Sequence, residues 1–244
     1  FTYAHNKVLE YDEPDFQKYP NISRVGHSID QQLLYIADRL FIDDAEVKRS
    51  PKQNIGGWVS GGDIKYLDQP DVNGNYDNVI DSNDRQYTGM PTTPEIVYGF
   101  GPSFRYKKFD FSFFFQGAAR VSIMMNGIHP FGDGETRSVL QFIADDYWSE
   151  DNQNIYAKYP RLSKRDNPNN TAWSTYWQRN GAFLKLKNAE IGFNHKFFRI
   201  YLRGSNLLTF SPFKYWDPEM GSGSGLSYPT QRVFNVGVQF SINK

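Results

Sequence analysis

VYGFGPSFRYKKFDFSFFFQGAARVSIMM, residues 97–125, carries a sustained two-residue period that decides the fold class. Tyr98, Phe100, Phe104 and Tyr106 share one parity, with Gly99, Gly101, Ser103, Arg105 and Lys107 on the other. After a tight turn at Lys107-Lys108, Phe111, Phe113, Phe115, Gly117, Ala119, Val121, Ile123 and Met125 alternate with Asp110, Ser112, Gln116, Ala118, Arg120 and Ser122. Phe114 is the main exception. Side chains of a β-strand alternate between its faces, so this pattern is one apolar and one small or polar face. A strand over 110–125, about fifteen residues, exceeds the ~5 to 6 usual in globular sheets and suits a tilted membrane strand.

The same period returns downstream. Leu184 and Leu186 lie on one parity and Ala189, Ile191 and Phe193 on the other, so a bulge is expected near Asn188. Phe198, Ile200, Leu202, Gly204, Leu208 and Phe210 alternate with Arg199, Tyr201, Arg203 and Ser205. Phe234, Val236, Val238, Phe240 and Ile242 alternate with Val233, Asn235, Gly237, Gln239 and Ser241. Expected strands are therefore 1–10, 31–41, 97–106, 110–125, 182–194, 198–210 and 232–243, the first two weaker. Turns at 107–109 and 195–197 are short, whereas 43–96, 126–181 and 211–231 are long. Strict alternation of short and long connections is the pattern of outer-membrane barrels, whose external loops are the long ones. Apolar spacing from Ser138 to Glu150 predicts a short helix in the longest loop.

Composition agrees with an alternating barrel. Aromatic residues make up 17% of the 244 residues while mean hydropathy is −0.63, as alternating strands with polar loops produce. Lys and Arg number 27 and Asp and Glu 27, which gives no support to a nucleic-acid partner. There is no cysteine, so disulfides and thiolate sites are excluded. No run approaches the ~18 apolar residues of a membrane helix, and Phe1 to His5 lacks a charged region followed by an apolar one. About seven strands are expected where single-chain barrels have an even number, so a piece of a larger barrel is expected.

Chemistry is sparse. His5, His27, His129 and His195 form no H-E-x-x-H, and G-x-S-x-G, P-loop and complete G-x-G-x-x-G motifs are missing, so no enzyme is expected. The acidic turn offers oxygen ligands for calcium: Asp71, Asn73, Asn75 or Asp77, the Val79 carbonyl, Asp81 and Asp84. Its spacing is stretched, Asn78 stands in the place of the turn glycine, and a hydrogen-bonded turn without metal is the alternative. Trp148, Trp173, Trp177, Tyr215 and Trp216 can stack on sugars or a partner, or can fill loop cores and interface girdles. Trp173, Trp177, Tyr215 and Trp216 are the candidates for substrate or lid contact.

Several segments, in order, resemble SusC/RagA-type TonB-dependent outer-membrane transporters: Gly62-Asp63-Ile64-Lys65-Tyr66 with the acidic turn, Tyr106 to Asp110, Gly181 to Ala189, Gly204 to Thr209, and Asp217-Pro218-Glu219. The resemblance covers nearly the whole chain and places it in the C-terminal part of such a protein. It implies an all-β fold, part of a plugged 22-stranded transmembrane barrel, working as a nutrient importer. A SusD-like surface lipoprotein would be the lid, and the TonB complex would supply energy through an N-terminal plug. The plug and remaining strands are outside these residues. Glycan is preferred to peptide as cargo, and the loops 126–181 and 211–231 are expected to touch the lid. One departure is the end, Phe240-Ser241-Ile242-Asn243-Lys244, where many such barrels finish on an aromatic residue.

On this reading Phe111, Phe113, Phe115, Phe234, Val236, Val238 and Phe240 meet outer-membrane lipid, while Arg105, Arg120, Asn235 and Gln239 point inward. The competing class is a secreted β-sandwich that binds carbohydrate, with a structural calcium.

Overall fold

The computed structural model describes residues 1–129 and 138–241, and between them the backbone of 131, 132, 135 and 136. One antiparallel sheet runs through the chain. Its strands are β1 (Thr2–Tyr3), β2 (Ile96–Phe100), β3 (Ser103–Tyr106), β4 (Phe109–Ala119), β5 (Phe183–Asn194), β6 (Phe198–Phe210) and β7 (Val233–Phe240). They lie in the order β1-β2-β4-β5-β6-β7, with β3 continuing the β2 position beside β4. Ile242 lies outside the described residues.

Register turns the parity of each strand into two continuous faces. Phe104 stands opposite Phe111, Phe111 opposite Ile191, Ile191 opposite Leu202, and Leu202 opposite Val236. The next row joins Tyr106, Phe109, Phe193, Ile200 and Val238. A slip of one residue would carry each of these side chains to the other face, so the apolar pattern pins the pairing. Rings stack across strands, Phe100 on Phe115 at 5.0 Å and Phe104 on Phe111 at 5.1 Å between centroids. The opposite face carries Ser103, Arg105, Asp110, Ser112, Glu190, Arg199, Arg203, Asn235 and Gln239. Phe114 falls there too, and a Cβ at Gly99 or Gly101 would come within 3.2 Å of its ring. An aromatic ring laid over glycines of the neighbouring strand restores the packing they lack.

The expected bulge is present: both ladders of β5 shift register around Lys187, between Leu186 and Asn188 on the β6 side and between Phe114 and Phe115 on the β4 side. Turns at Lys107-Lys108 and 195–197 join β3 to β4 and β5 to β6. Lys107 takes φ 54, the left-handed conformation that such a tight turn demands.

Three expectations change. The strand over 110–125 is divided, because Arg120 adopts φ 52 and Ser122–Met124 then leaves the sheet to pair with Gln178–Asn180. The stretch 1–10 contributes only Thr2–Tyr3 to the sheet. The stretch 31–41 is two strands that never join it: Gln32–Tyr35 pairs with Arg85–Thr88 and Ala37–Leu40 with Ile64–Tyr66. Their apolar residues serve another core, since Leu34 and Leu40 are completely buried.

That second core is built from the long connections. Leu34, Leu40, Ile64, Tyr66, Ile80, Ile123, Met125, Ile143, Trp148, Trp177 and Phe213 pack together there. Helix α1 (Asp44–Arg49) begins at Asp43, whose carboxylate accepts from the Glu46 N–H at 2.7 Å, satisfying one of the amides a helix start leaves unpaired. Helix α2 (Gln141–Asp145) is the observed portion of the helix expected over 138–150, and it buries Ile143. Among the described residues no helix is long and apolar enough to cross a membrane.

Candidate functional site

The wall and the loop unit meet at an ion cluster on the polar face. Lys185 is 1% exposed although it sits in a strand. Its ammonium contacts the Asp217 carboxylate and lies 2.6 Å from Glu219 Oε2, while Lys187 Nζ lies 2.9 Å from Glu219 Oε1. Lys185 and Lys187 lie two residues apart in β5, so strand alternation turns both to the polar side, and the parity of the strand reverses just beyond them. A 3-10 turn at Pro218–Met220, opened by Asp217, presents the two acids. Loop 211–231 is thereby clamped over the polar face.

A second junction lies within the loop unit. Asp63, completely buried, meets Arg161 with Oδ1 2.8 Å from Nε and accepts from Asn170 Nδ2 at 2.8 Å and from the Ser60 N–H at 2.8 Å. Burial pushes its carboxyl up, and the Arg161 guanidinium opposes that. Asn169 donates to the Ile64 carbonyl at 2.9 Å, and Tyr66 donates its hydroxyl proton to the Asn169 carbonyl at 2.6 Å. The 62–66 motif and the Asn167-Pro168-Asn169-Asn170 turn are therefore two halves of one network. Gly62 has φ 82 and lies against the Trp148 indole, where a Cβ would come within 2.2 Å of a ring carbon.

Oxygens of the acidic turn are directed to its own backbone. Asp71 accepts from the N–H groups of Asn73 and Asn75, each at 2.9 Å, and Asp77 from that of Val79 at 2.9 Å. Asp81 accepts from Asn83 N–H at 2.8 Å, and Asp84 from Asp81 and Gln69 N–H groups, both at 2.7 Å. Asn78 stands at φ 60, as its place in the turn requires. Val79 belongs to a two-residue strand paired with Lys52. Among the described residues no three His, Asp or Glu side chains gather closely enough to hold a metal ion.

The loop aromatics divide. Trp177 is 2% exposed and donates its indole N–H to the Asn170 carbonyl at 2.8 Å, so it is part of the loop core. Tyr215 and Trp216 pack against that core, Tyr215 on Phe142 at 4.8 Å and Trp216 on Phe213 at 4.7 Å. Trp173 is 49% exposed and turns part of its ring to solvent.

The apolar face of the sheet has no cover from this chain: Val236 and Phe240 are each 76% exposed and Phe234 is 65% exposed. A β-sandwich packs such a face against a second sheet. Here the long connections lie on the polar side and at one end instead, which overturns the sandwich alternative. An apolar band this wide marks contact with lipid or another protein.

No family model matches the chain. TonB-dependent receptor P3 of Formosa agariphila is 29% identical over 191 residues, 69% of this chain and 18% of that protein. TonB-dependent receptor P26 of the same organism is 27% identical across 96% of this chain and 26% of its own length. The chain thus spans 18% and 26% of these two relatives. Among solved structures, the RagAB peptide importer in its open-open state superposes with TM-score 0.63 at 18% identity, covering 95% of this chain and 24% of that one. Its closed-closed state gives TM-score 0.62 at 19% identity, with 96% and 25% covered. With its two-faced sheet, short turns at one end and folded loops at the other, this chain has the fold of a barrel-wall part of the RagAB importer and is similar in sequence to part of two TonB-dependent receptors.

Proposed function

We propose that the chain forms wall and external loops of an active importer that carries a nutrient oligomer across the outer membrane, glycan before peptide. The uncovered apolar face carries this reading: four adjacent strands present apolar side chains outward and, Phe114 and Val233 among the exceptions, charged, polar or small ones inward, as a lipid-facing wall around an aqueous or protein-filled lumen requires. A SusD-like lipoprotein closes the external side, and the TonB complex drives transport through parts of the polypeptide outside these residues. In the loops, Trp173 and the tip of the 211–231 connection, where Leu226 is 59% and Tyr228 80% exposed, are the surfaces we assign to lid or cargo. The first half of that connection is held by Lys185 and Lys187, so the tip is the part free to engage.

The test is a tagged full-length transporter isolated from native membranes with Leu226→Ser and Tyr228→Ser. The expected result is an intact barrel, reduced recovery of the lipoprotein and slower uptake of labelled oligomer. Unchanged lipoprotein recovery and uptake would remove the tip from the lid interface.

A further inference from the structure

The two short turns close their strands with lysines and without an acid. Residues 103–109 read SFRYKKF and residues 193–198 FNHKFF, and the next carboxylate along the chain, that of Asp110, is already bound by Arg199 and Asn194. The turns touch, since the Asn194 N–H donates to the Lys108 carbonyl at 2.7 Å. Lys107, Lys108 and Lys196 therefore project from one edge of the sheet. All three are exposed, and none forms an ion pair among the described residues. Lys185 and Lys187, at the other end of β5, are instead matched by Asp217 and Glu219.

Aromatic rings lie directly behind these amines. Tyr106, Phe109 and Phe193 stand in one outward row, and Phe198 faces Phe240 in the next. A girdle of this kind marks the level at which barrel strands pass from hydrocarbon to headgroups. The Lys107 ammonium lies 5.3 Å from the centroid of the Tyr106 ring and the Lys196 ammonium 5.4 Å from that of Phe197, both within cation–π range. Because Tyr106 belongs to the outward row, Lys107 is held beside the membrane and not over the lumen. An amine at that depth meets lipid phosphates, and each lysine near an anionic bilayer surface favours it about fivefold. A zwitterionic headgroup carries its own ammonium and gains less.

We propose that Lys107, Lys108 and Lys196 form a binding site for the headgroup phosphate of an anionic phospholipid in the periplasmic leaflet of the outer membrane. Two touching turns supply amines from both sides of one headgroup, and His195, stacked on Phe198 at 4.7 Å between centroids, adds an imidazole beside them. The proposal rests on the barrel-wall reading, which sets the aromatic rows against lipid and the short turns on the periplasmic side.

The test uses the full-length transporter in phosphatidylcholine vesicles. A phosphatidylglycerol probe with a diazirine on its headgroup should, on irradiation, label 106–109 and 195–198, and unlabelled phosphatidylglycerol should compete about tenfold better than phosphatidylcholine. Lys107→Gln with Lys108→Gln and Lys196→Gln should abolish that preference, while Lys107→Arg with Lys108→Arg and Lys196→Arg should keep it. Heat-modifiable electrophoretic migration checks that each barrel is folded. If the glutamine triple does not assemble, Lys196→Gln alone is measured and should lower the preference about fivefold. A second probe, with the diazirine in its acyl chain, should label the row of Phe109, Phe193 and Ile200 in parent and variants alike. No acyl-chain adduct on that row would refute the wall reading beneath the proposal. With the row labelled, headgroup adducts elsewhere, equal competition by the two lipids, or a preference untouched by the loss of charge would refute the lysine site alone. In intact cells, Lys196→Cys should react with an impermeant maleimide only after the outer membrane is opened. Reaction before that would place the turn at the cell surface and refute the choice of leaflet.

Discussion

Gly237 shows how single residues fit this wall to its purpose. It stands opposite Tyr201 in the ladder, and a Cβ there would come within 2.2 Å of the phenol ring, which lies over the glycine. Gly117 and Tyr98 repeat the arrangement, with the Tyr98 hydroxyl donating to the Phe183 carbonyl at 2.9 Å. Gly237→Ala is therefore expected to destabilise the barrel by about 1 to 3 kcal/mol, the usual cost of overpacking. In a Tyr201→Ala background that cost should vanish. Urea unfolding in detergent measures both, and equal costs in the two backgrounds would contradict the contact. Asp84, 4% exposed, gives a second residue-level expectation. Burial pushes its carboxyl up to about 6, against the N–H groups of Asp81 and Gln69, which hold it down. Because the folded value exceeds the ordinary 3.8, the folded turn binds a proton the unfolded chain does not, between about 4 and 6. Its stability is fullest below that window and falls as pH rises through about 6. Hydrogen exchange at the Gln69 and Asp81 amides, corrected for intrinsic rates, should quicken over that window, and Asp84→Asn should flatten the change. The sequence displays all the oxygen donors of this turn. It does not display where they point, because Asp and Asn serve equally as metal ligands and as acceptors for nearby amides.

Elements divide between two cores, and that division was only partly legible. Strands β4 to β7 announce themselves, since alternation over many residues, a parity switch at Asn188 and tight turns at 107 and 195 are local signals. The two strands of 31–41 alternate as well, but period alone does not say which sheet a strand joins. Nor does Arg120 announce the end of β4, because its left-handed backbone is imposed by Glu95, which binds its guanidinium and donates its N–H to the Arg120 carbonyl. The loop core escapes sequence reasoning for another reason: its contacts join residues far apart, such as Asp63 with Arg161. Losing that partner leaves a carboxylate in a dry site. Arg161→Met is expected to cost about 3 to 5 kcal/mol, and Asp63→Asn added to it should recover a large part. Protease resistance of the loops in intact membranes reads this, and an unaltered Arg161→Met digest would contradict it. The segments that resemble the transporter family acquire a physical sense here. Residues 62–66 bind the 167–170 turn, and Lys185 and Lys187 of the 181–189 segment bind Asp217 and Glu219.

At the scale of the whole molecule, one sheet separates two environments. Outward rows such as Phe104, Phe111, Ile191, Leu202 and Val236 are wholly apolar, and inward rows hold the Asp110, Glu190 and Arg199 cluster. Water on both sides would leave the first face unexplained, and lipid on both would strand the second. The account therefore stands on which face meets hydrocarbon. Adjacent positions on β7 decide it most directly: Val236→Cys and Asn235→Cys in the full-length transporter, each carrying a nitroxide, in lipid vesicles. Val236 is predicted to be relaxed strongly by oxygen, which concentrates in hydrocarbon, and Asn235 by an aqueous nickel chelate or by neither reagent. The reverse assignment, or both positions equally open to the chelate, would contradict the barrel wall.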